Sequence, residues 1–416
     1  MRGRRPPDRD LLRTMLGSVP PSLLSQLGFY ALIPSLPSLL REGWGLGTAW
    51  LTGIAMFALS ASMRGSAIFL SNTMRHLRLR TTAAGGMGLA AIGFASLTVW
   101  HQEFAVIGGL TVAGTGISVA GLAVRVFVAE SLRENDRRNT VFAAIQVVAN
   151  VAAALGPLIG AVALGISDRV LVSSVAGAYA VAALIALAAV PARRPHPVSG
   201  RPPLSRRTLV DIATDPAIRR TSLTALVGCF LYAQLFSAIS IHLLSASDSP
   251  AQRSAVFTVN AVLVIALQGP VSTWVNAGLR SAVSSYSYLH AGVVVFSLAF
   301  VILALAGRQY AGVIVAITVF SLGETLFSPM LNTAFADIAG ERSTLEAFNI
   351  RQLSSAIGES VGTLIGGALF VAVQTMFSDR AYWSAVGAVG LLVAACHLGA
   401  ALPGRRDTRL MNAKHP

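Results

Sequence analysis

GTGISVAGLAVRVFVAESLREND, Gly114–Asp136, and LGETLFSPMLNTAFADIAGERS, Leu322–Ser343, carry one pattern at two places: a long apolar run that closes on an acidic residue and a short charged segment. Glu130 stands opposite Asp337 at an offset of 207. The register continues outside these stretches. Phe142, Gln146, Gly156 and Gly160 are followed 206 residues later by Phe348, Gln352, Gly362 and Gly366, and Ser25-Gln26-Leu27 is followed at 208 by Ala233-Gln234-Leu235. Near-constant offsets over three segment pairs point to a duplicated unit.

What is duplicated follows from composition. Of 416 residues, 54% are apolar and only 12% charged, where soluble proteins carry about 25% charged residues. The apolar residues fall in blocks of about 20 or more, the length that crosses a ~30 Å hydrocarbon layer. Strand-like alternation is absent, and helices satisfy their own backbone groups in lipid, so the blocks read as membrane helices. Hydropathy places twelve of them at 14–40, 47–71, 81–100, 104–130, 140–165, 169–190, 222–245, 254–276, 282–306, 310–337, 344–375 and 381–403. The expected fold is an all-α integral membrane protein of two pseudo-symmetric six-helix bundles.

The formal net charge of +14 excludes neither lipid nor nucleic acid by itself, but the placement of the charges decides against nucleic acid. No basic stripe is interleaved with aromatics on a polar surface; the arginines sit between apolar blocks. With the N-terminus inside, one side collects Arg2, Arg4, Arg5, Arg9 and Arg13, then Arg75, Arg78 and Arg80, then Arg133, Arg137 and Arg138, and the loop from Arg193 to Arg220. The other side holds Arg41, Arg169, Arg253, Arg308 and Arg380. Basic residues mark the cytoplasmic face, so both termini are expected there. A cleaved signal peptide is not expected, because the first span is long, contains Pro20, Pro21, Pro34 and Pro37, and lacks a small-residue cleavage site.

The longest polar connection, with RRPHPVSGRPPLSRR at its start, divides the chain. The expected organisation is a cytoplasmic tail over 1–13, a six-helix bundle over 14–190, a cytoplasmic linker over 191–221, a second bundle over 222–403 and a tail over 404–416. Two such halves related by an axis along the membrane normal place a substrate site between them, near the midplane.

An ionisable side chain at the bilayer centre costs about 2.5 kcal/mol or more, so each needs a partner or a purpose. The deep ones are Arg64, Glu324 and Glu359. At ~1.5 Å per residue, Glu324 lies roughly 20 Å above Asp337 and Glu359 roughly 22 Å above Thr344, which sets the two carboxylates near one level. A carboxylate at such depth suits proton exchange, because burial favours its neutral form and a nearby cation its charged form. Arg125, Arg351, Glu130 and Asp337 read as interfacial residues that snorkel or pair near the cytoplasmic surface. Gln26, Tyr30, Gln234 and Asn332 are candidates for lining a cavity, with helix–helix hydrogen bonding as the alternative. His242, His290 and His397 lack spaced ligands, and Cys229 and Cys396 lie in apolar blocks, so neither metal nor disulfide is expected. The four-residue glycine spacing of Gly156 with Gly160, and of Gly358, Gly362 and Gly366, permits close helix packing.

ALGPLIGA, Ala154–Ala161, is similar to the Gly-Pro-x-x-Gly signature of the twelve-helix drug:proton antiporters, and GETLFSP, Gly323–Pro329, and YAQLFSAISIHL, Tyr232–Leu243, resemble the same family. Between its tails the chain thus resembles the major facilitator superfamily. The resemblance implies alternating access by rocking of two halves. It also places Glu324 on a cavity-lining helix, where it would bind the proton or a cationic substrate, the alternative being a buried carboxylate tied structurally to an arginine or a hydroxyl. By the same analogy helix 2 faces helix 11, so Arg64 and Glu359 would pair across the halves, as a gate or a permanent link, with an anion-binding role for Arg64 in the cavity as a further alternative. Gly156, Pro157 and Gly160 would seal the interface between halves and limit proton leak.

The sequence departs from the family twice. In the loop between helices 2 and 3, LSNTMRHLRLR, Leu70–Arg80, puts Met74 where the superfamily has an aspartate, leaving Arg75 and Arg78 as the matching remnant. Leu110 occupies the place of the antiporters' helix 4 arginine.

An ATP-driven pump is excluded within this chain, since Lys414 is its only lysine and no phosphate-binding G-x-x-x-x-G-K-[ST] loop exists. No catalytic grouping suggests an enzyme, no cofactor is implied, and no sizeable soluble domain suggests a sensor. The expectation is a monomeric secondary transporter, with protons, a small-molecule substrate and the lipid bilayer as partners. It would export an amphipathic drug or metabolite. An importer or facilitator of a sugar or other metabolite is the alternative. Arg-rich, nearly Lys-free composition is what GC-rich coding produces, and suggests a bacterial inner membrane.

Overall fold

A computed structural model describes residues 9–36, 39–40, 44, 49–195, 205–247, 249–339 and 343–401. The parts of the tails, loops and linker that fall elsewhere, with Pro37, Arg41, Arg201 and the arginines after 402, lie outside the described residues, as do the side chains of Cys396 and His397. Helices run α1 Arg9–Leu32, α2 Ala49–Met74, α3 Leu79–Ser96, α4 Glu103–Ser131, α5 Asn135–Ile166 and α6 Asp168–Ala189. After the short α7, Arg206–Thr214, come α8 Pro216–Ala233, α9 Ala238–Ala246, α10 Pro250–Arg280, α11 Ser285–Ala306, α12 Tyr310–Asp337, α13 Thr344–Leu364, α14 Phe370–Met376 and α15 Asp379–Ala401.

Among the described residues there is no strand, and nine stretches are long and apolar enough to cross a membrane. Helices α1 and α3 stand in the same bundle without such a stretch among the described residues. Two expected spans are broken rods: Gln234–Ser237 turns between α8 and α9, and a π-helical turn at Ile365–Leu369 joins α13 to α14.

Several boundaries differ from hydropathy, and two of them shift the expected edges of the bundles. The first helix begins at Arg9, inside the expected tail, and α8 begins at Pro216, inside the expected linker. The cause at α8 is local chemistry that hydropathy does not see. Asp215 caps the helix by accepting from the backbone N–H groups of Ala217 at 2.9 Å and Ile218 at 3.2 Å, and Pro216 supplies a first-turn φ without a wasted donor. The linker also folds α7, capped by Ser205 and tied to α13 by Thr208 donating to Glu346 at 3.2 Å.

The duplication is visible in the packing. In the first half α1 packs on α5 and α6, α2 on α4, and α3 on α4 and α6; in the second α8 packs on α13, α10 on α12, and α11 on α12 and α15. Glycines allow the first of these pairs to close. A Cβ on Gly156 would come within 2.6 Å of the Tyr30 Cβ on α1, and one on Gly362 within 2.6 Å of the Phe230 carbonyl on α8.

One end of the bundle is basic. It carries the α2–α3 turn with Arg75, Arg78 and Arg80, the α4–α5 turn with Arg133, Arg137 and Arg138, and the end of α6, where Arg193 donates to Ser131 at 2.8 Å. The halves join there. One apolar cluster combines Phe142 and Leu132 of the first half with Ala336, Leu345 and Phe348 of the second, and the rings of Phe142 and Phe348 meet edge-on at 6.5 Å. The other two apolar clusters stay within one half each. Asn139 donates to Ser272 at 3.1 Å and Asn276 at 2.6 Å, and Arg280 reaches Asp136 at 3.1 Å. Contacts between halves therefore concentrate toward the basic end.

Candidate functional site

Between the halves lies a cavity of about 440 Å³. Gln26, Tyr30 and Phe29 of α1, Arg64 of α2, Arg125 of α4 and Gln146 of α5 line it from one side. Tyr232 of α8, Phe327 and Asn332 of α12, and Arg351, Gln352 and Glu359 of α13 line it from the other. The cavity brings together Gln26, Tyr30, Asn332, Arg64 and Glu359.

Arg64 and Glu359 form an ion pair across the halves, each about one third exposed to the cavity. The surrounding atoms extend it into a network. Gln352 donates to the Arg64 carbonyl at 3.0 Å and accepts from Arg125 at 3.3 Å, so α13 is held to both α2 and α4.

Glu324 is reached differently. Its helix α12 lines the cavity through Phe327, Ser328, Leu331 and Asn332, but the carboxylate itself is 1% exposed and turns away from the cavity toward α5 and α10. Gln146 of the first half donates to one carboxylate oxygen at 2.8 Å and Asn260 of α10 to the other at 3.2 Å. Asn260 also donates to Ser321 at 3.0 Å. These partners are neutral, and among the described residues no arginine pairs with Glu324. Gln146 touches both the carboxylate and the cavity, so it is the physical link between them.

Three expectations are corrected. Gln234 does not line the cavity: it is fully buried, donates to the Gly362 carbonyl at 3.0 Å and accepts from the Tyr382 hydroxyl at 2.7 Å, the helix–helix alternative. Arg125 and Arg351 do not snorkel to the surface, since both line the cavity. The reason is their position on the inward faces of α4 and α13, where a long side chain meets the facing half before it meets water.

Gly156 and Gly160 face Tyr30 and Ala31 of α1 within one half, not the other half. The part of α5 that meets the second half is its earlier portion, at Asn139, Thr140 and Gln146. Pro157 lies beyond that contact.

Of the loop remnant, Arg75 donates to His76 at 2.9 Å and Arg78 precedes α3 as its N-cap, while Met74 is buried. Leu110 is fully buried in α4. Sequence reasoning missed Asn260, Gln146 and Gln352 as site residues. The signal was present: two of them are glutamines repeated at the offset of 206 in apolar helices, and Asn260 interrupts an otherwise apolar span.

Residues 22–283 match the Major Facilitator Superfamily. An uncharacterized MFS-type transporter of Mycobacterium tuberculosis is 25% identical over 95% of this chain and 93% of its own length. The multidrug resistance protein MdtH of Salmonella arizonae is 24% identical over 89% of each chain. Among solved structures, the human organic anion transporter MFSD10 (TETRAN) superposes with a TM-score of 0.73 at 18% identity, covering 94% of this chain and 99% of that one, a likeness of fold.

Proposed function

The chain belongs to the major facilitator superfamily, and from that premise we propose that it exports a small amphipathic organic compound across a bacterial inner membrane in exchange for protons, by alternating access of its two halves. The basic end is taken as cytoplasmic, with both termini there. Glu324 carries the proton. One observation supports this above the rest: a carboxylate buried at the seam between halves is held by side-chain amides from both halves and has no fixed counter-charge. A buried charge without a cation is costly, and a proton is the partner that can come and go. Rocking the halves separates Gln146 from Glu324, which ties the carboxylate's environment to conformation. The direction of transport is supported by the likeness to MdtH, and the amphipathic substrate by a cavity whose walls mix Phe29, Tyr30, Tyr232 and Phe327 with polar groups.

The test is growth of a pump-deficient bacterial host expressing the chain or its Glu324→Gln variant, across antibiotics and dyes, at matched membrane levels. The expected result is protection by the intact chain, lost on substitution. No protection against any compound, with uptake of a metabolite instead, would replace export by the importer reading. Equal protection by the variant would remove Glu324 from coupling.

A further inference from the structure

The cavity has more positive charge than its own residues neutralise. Three arginines, Arg64, Arg125 and Arg351, face it with one carboxylate, Glu359. Glu359 is committed to Arg64 by direct contact. Arg125 has a neutral partner, the Gln352 amide oxygen at 3.3 Å. Arg351 is 9% exposed and its Nε has no hydrogen-bond partner. The two guanidiniums lie within Coulombic reach of each other and of Glu359, whose single charge is shared with Arg64, so the wall keeps a net positive charge.

The repeat shows that packing does not require these arginines. At the offset of 207, Arg125 corresponds to Asn332, and at 206 Arg351 corresponds to Ile145. Asn332 and Ile145 line the same cavity from the other seam without charge. Two helices of one duplicated unit therefore pack acceptably with amide or aliphatic side chains at these places, and the cations on one copy call for another explanation. The Oδ1 of Asn332, an acceptor in the same cavity, also has no partner.

We propose that the cavity binds an organic anion, its carboxylate or sulfonate seated between Arg125 and Arg351 and its apolar body against Tyr30, Phe29 and Phe327. Arginine suits this role because its planar donor fork matches a two-oxygen head group, and a site of low dielectric strengthens the contact. A donor on the ligand body, hydroxyl or amide, meets the Asn332 oxygen. This deepens the export reading by naming the charge class of its substrate, and rests on that reading only for the claim that the bound molecule is transported.

The experiment measures binding to the full-length purified protein in detergent, with no gradient. Three probes of one shape are compared: 2-naphthoate, 2-naphthamide and 2-naphthylmethylammonium. Thermal stabilisation and calorimetric titration should detect the anion at least about tenfold more tightly than the amide, roughly one charge-assisted contact's worth, and the ammonium least. Arg351→Gln should abolish that preference, weakening binding of the anion far more than binding of the amide. Arg125→Gln is the second variant, used if Arg351→Gln does not purify as a monodisperse protein, and should reduce the preference in the same direction. Equal binding of anion and amide by the intact protein, tighter binding of the ammonium, or a preference for the anion that survives both substitutions would each overturn the proposal. Failure of export in cells with anion binding intact would count against the transport reading alone; export of cationic dyes with no anion binding would count against this proposal alone.

Discussion

The two seams between the halves are copies of each other in backbone and opposites in chemistry. Along one, α5 meets α10 and α12; along the other, α13 meets α2 and α4, the repeat equivalents. Each seam has a glutamine at the equivalent position, and each glutamine reaches across to the other half. Gln146 donates to Glu324 in a neutral cage at 2.8 Å, while Gln352 accepts from Arg125 at 3.3 Å beside the Arg64–Glu359 pair. The duplication thus supplies a scaffold, and divergence of a few side chains gives one seam a lone carboxylate and the other a surplus of cations. A symmetric protein would have two identical seams.

The largest effects should come from breaking the charged seam. Arg64→Ala and Glu359→Ala each leave one ion in the cavity without its partner, and each is expected to lower transport strongly, with about 1–2 kcal/mol lost from stability once cavity water has screened the remaining charge. The double substitution should be no worse than either single one, because the second removes a group whose partner is already gone. Additive losses in transport assays at matched expression would show that the two residues act separately.

Next in size is the same change made in both seams. Gln146→Leu takes one of the amide donors from a carboxylate with 1% exposure, and an unmet buried group costs about 1–3 kcal/mol. Gln352→Leu removes a partner from Arg125, which borders the open cavity where water can replace the amide. Transport and thermal stability should therefore fall further for Gln146→Leu than for Gln352→Leu. Equal losses would mean that the seams are energetically alike and that the contrast drawn from their residues is superficial.

The fold was legible because hydropathy and the repeat are strong, redundant signals: offsets of 206 to 208 recur over three helix pairs. What was not legible depends on helix rotation. Glu324 and Phe327 sit on one helix less than a turn apart, yet only Phe327 faces the cavity, and one sequence cannot tell which way a helix apolar on all sides is turned. Gln26 and Gln234 show the same limit. They are equivalent by the repeat, but one lines the cavity and the other is sealed by Tyr382 and the Gly362 carbonyl. Arg125 and Arg351 were misplaced by a rule for single helices, since snorkelling assumes lipid beside the side chain and here there is a second half.

A smaller effect is expected at the basic end, where the seams close. Asn276 accepts from Asn139 at 2.6 Å and donates to Thr140 at 2.9 Å, both across the halves. Asn276→Ala should loosen this end by about 1 kcal/mol, a factor of roughly five in population. Cys229, which lines the cavity, reports it in a Cys396→Ser background: its alkylation from the basic side should speed up by that factor. An unchanged rate would shift the burden of closure to the Phe142–Phe348 contact.

The smallest effect concerns a charged group that belongs to neither seam and so serves as the reference for both. At the end opposite the basic one, within the second half, Asp379 accepts from Arg308 at 2.8 Å and lies 3.4 Å from His242, tying the start of α15 to α9 and to the α11–α12 turn. Burial pushes the Asp379 carboxyl up, but hydrogen bonds from Arg308 and Gln374 and the charges of Arg308 and His242 outweigh it and hold the group below the usual carboxylate range. Because its folded value is depressed, the contact stabilises the protein above the unfolded aspartate's pKa of about 3.9 and is lost as pH falls through the lower, folded value. Asp379→Asn should therefore lower the melting temperature by a few degrees at pH 6 to 7, and the difference from the intact protein should close as pH drops below about 4. Transport at neutral pH should change little, because the contact lies within one half and is not remade when the halves rock. If Asp379→Asn abolished transport while the melting temperature held, the contrast between charges that cross the seam and charges that do not would lose its meaning.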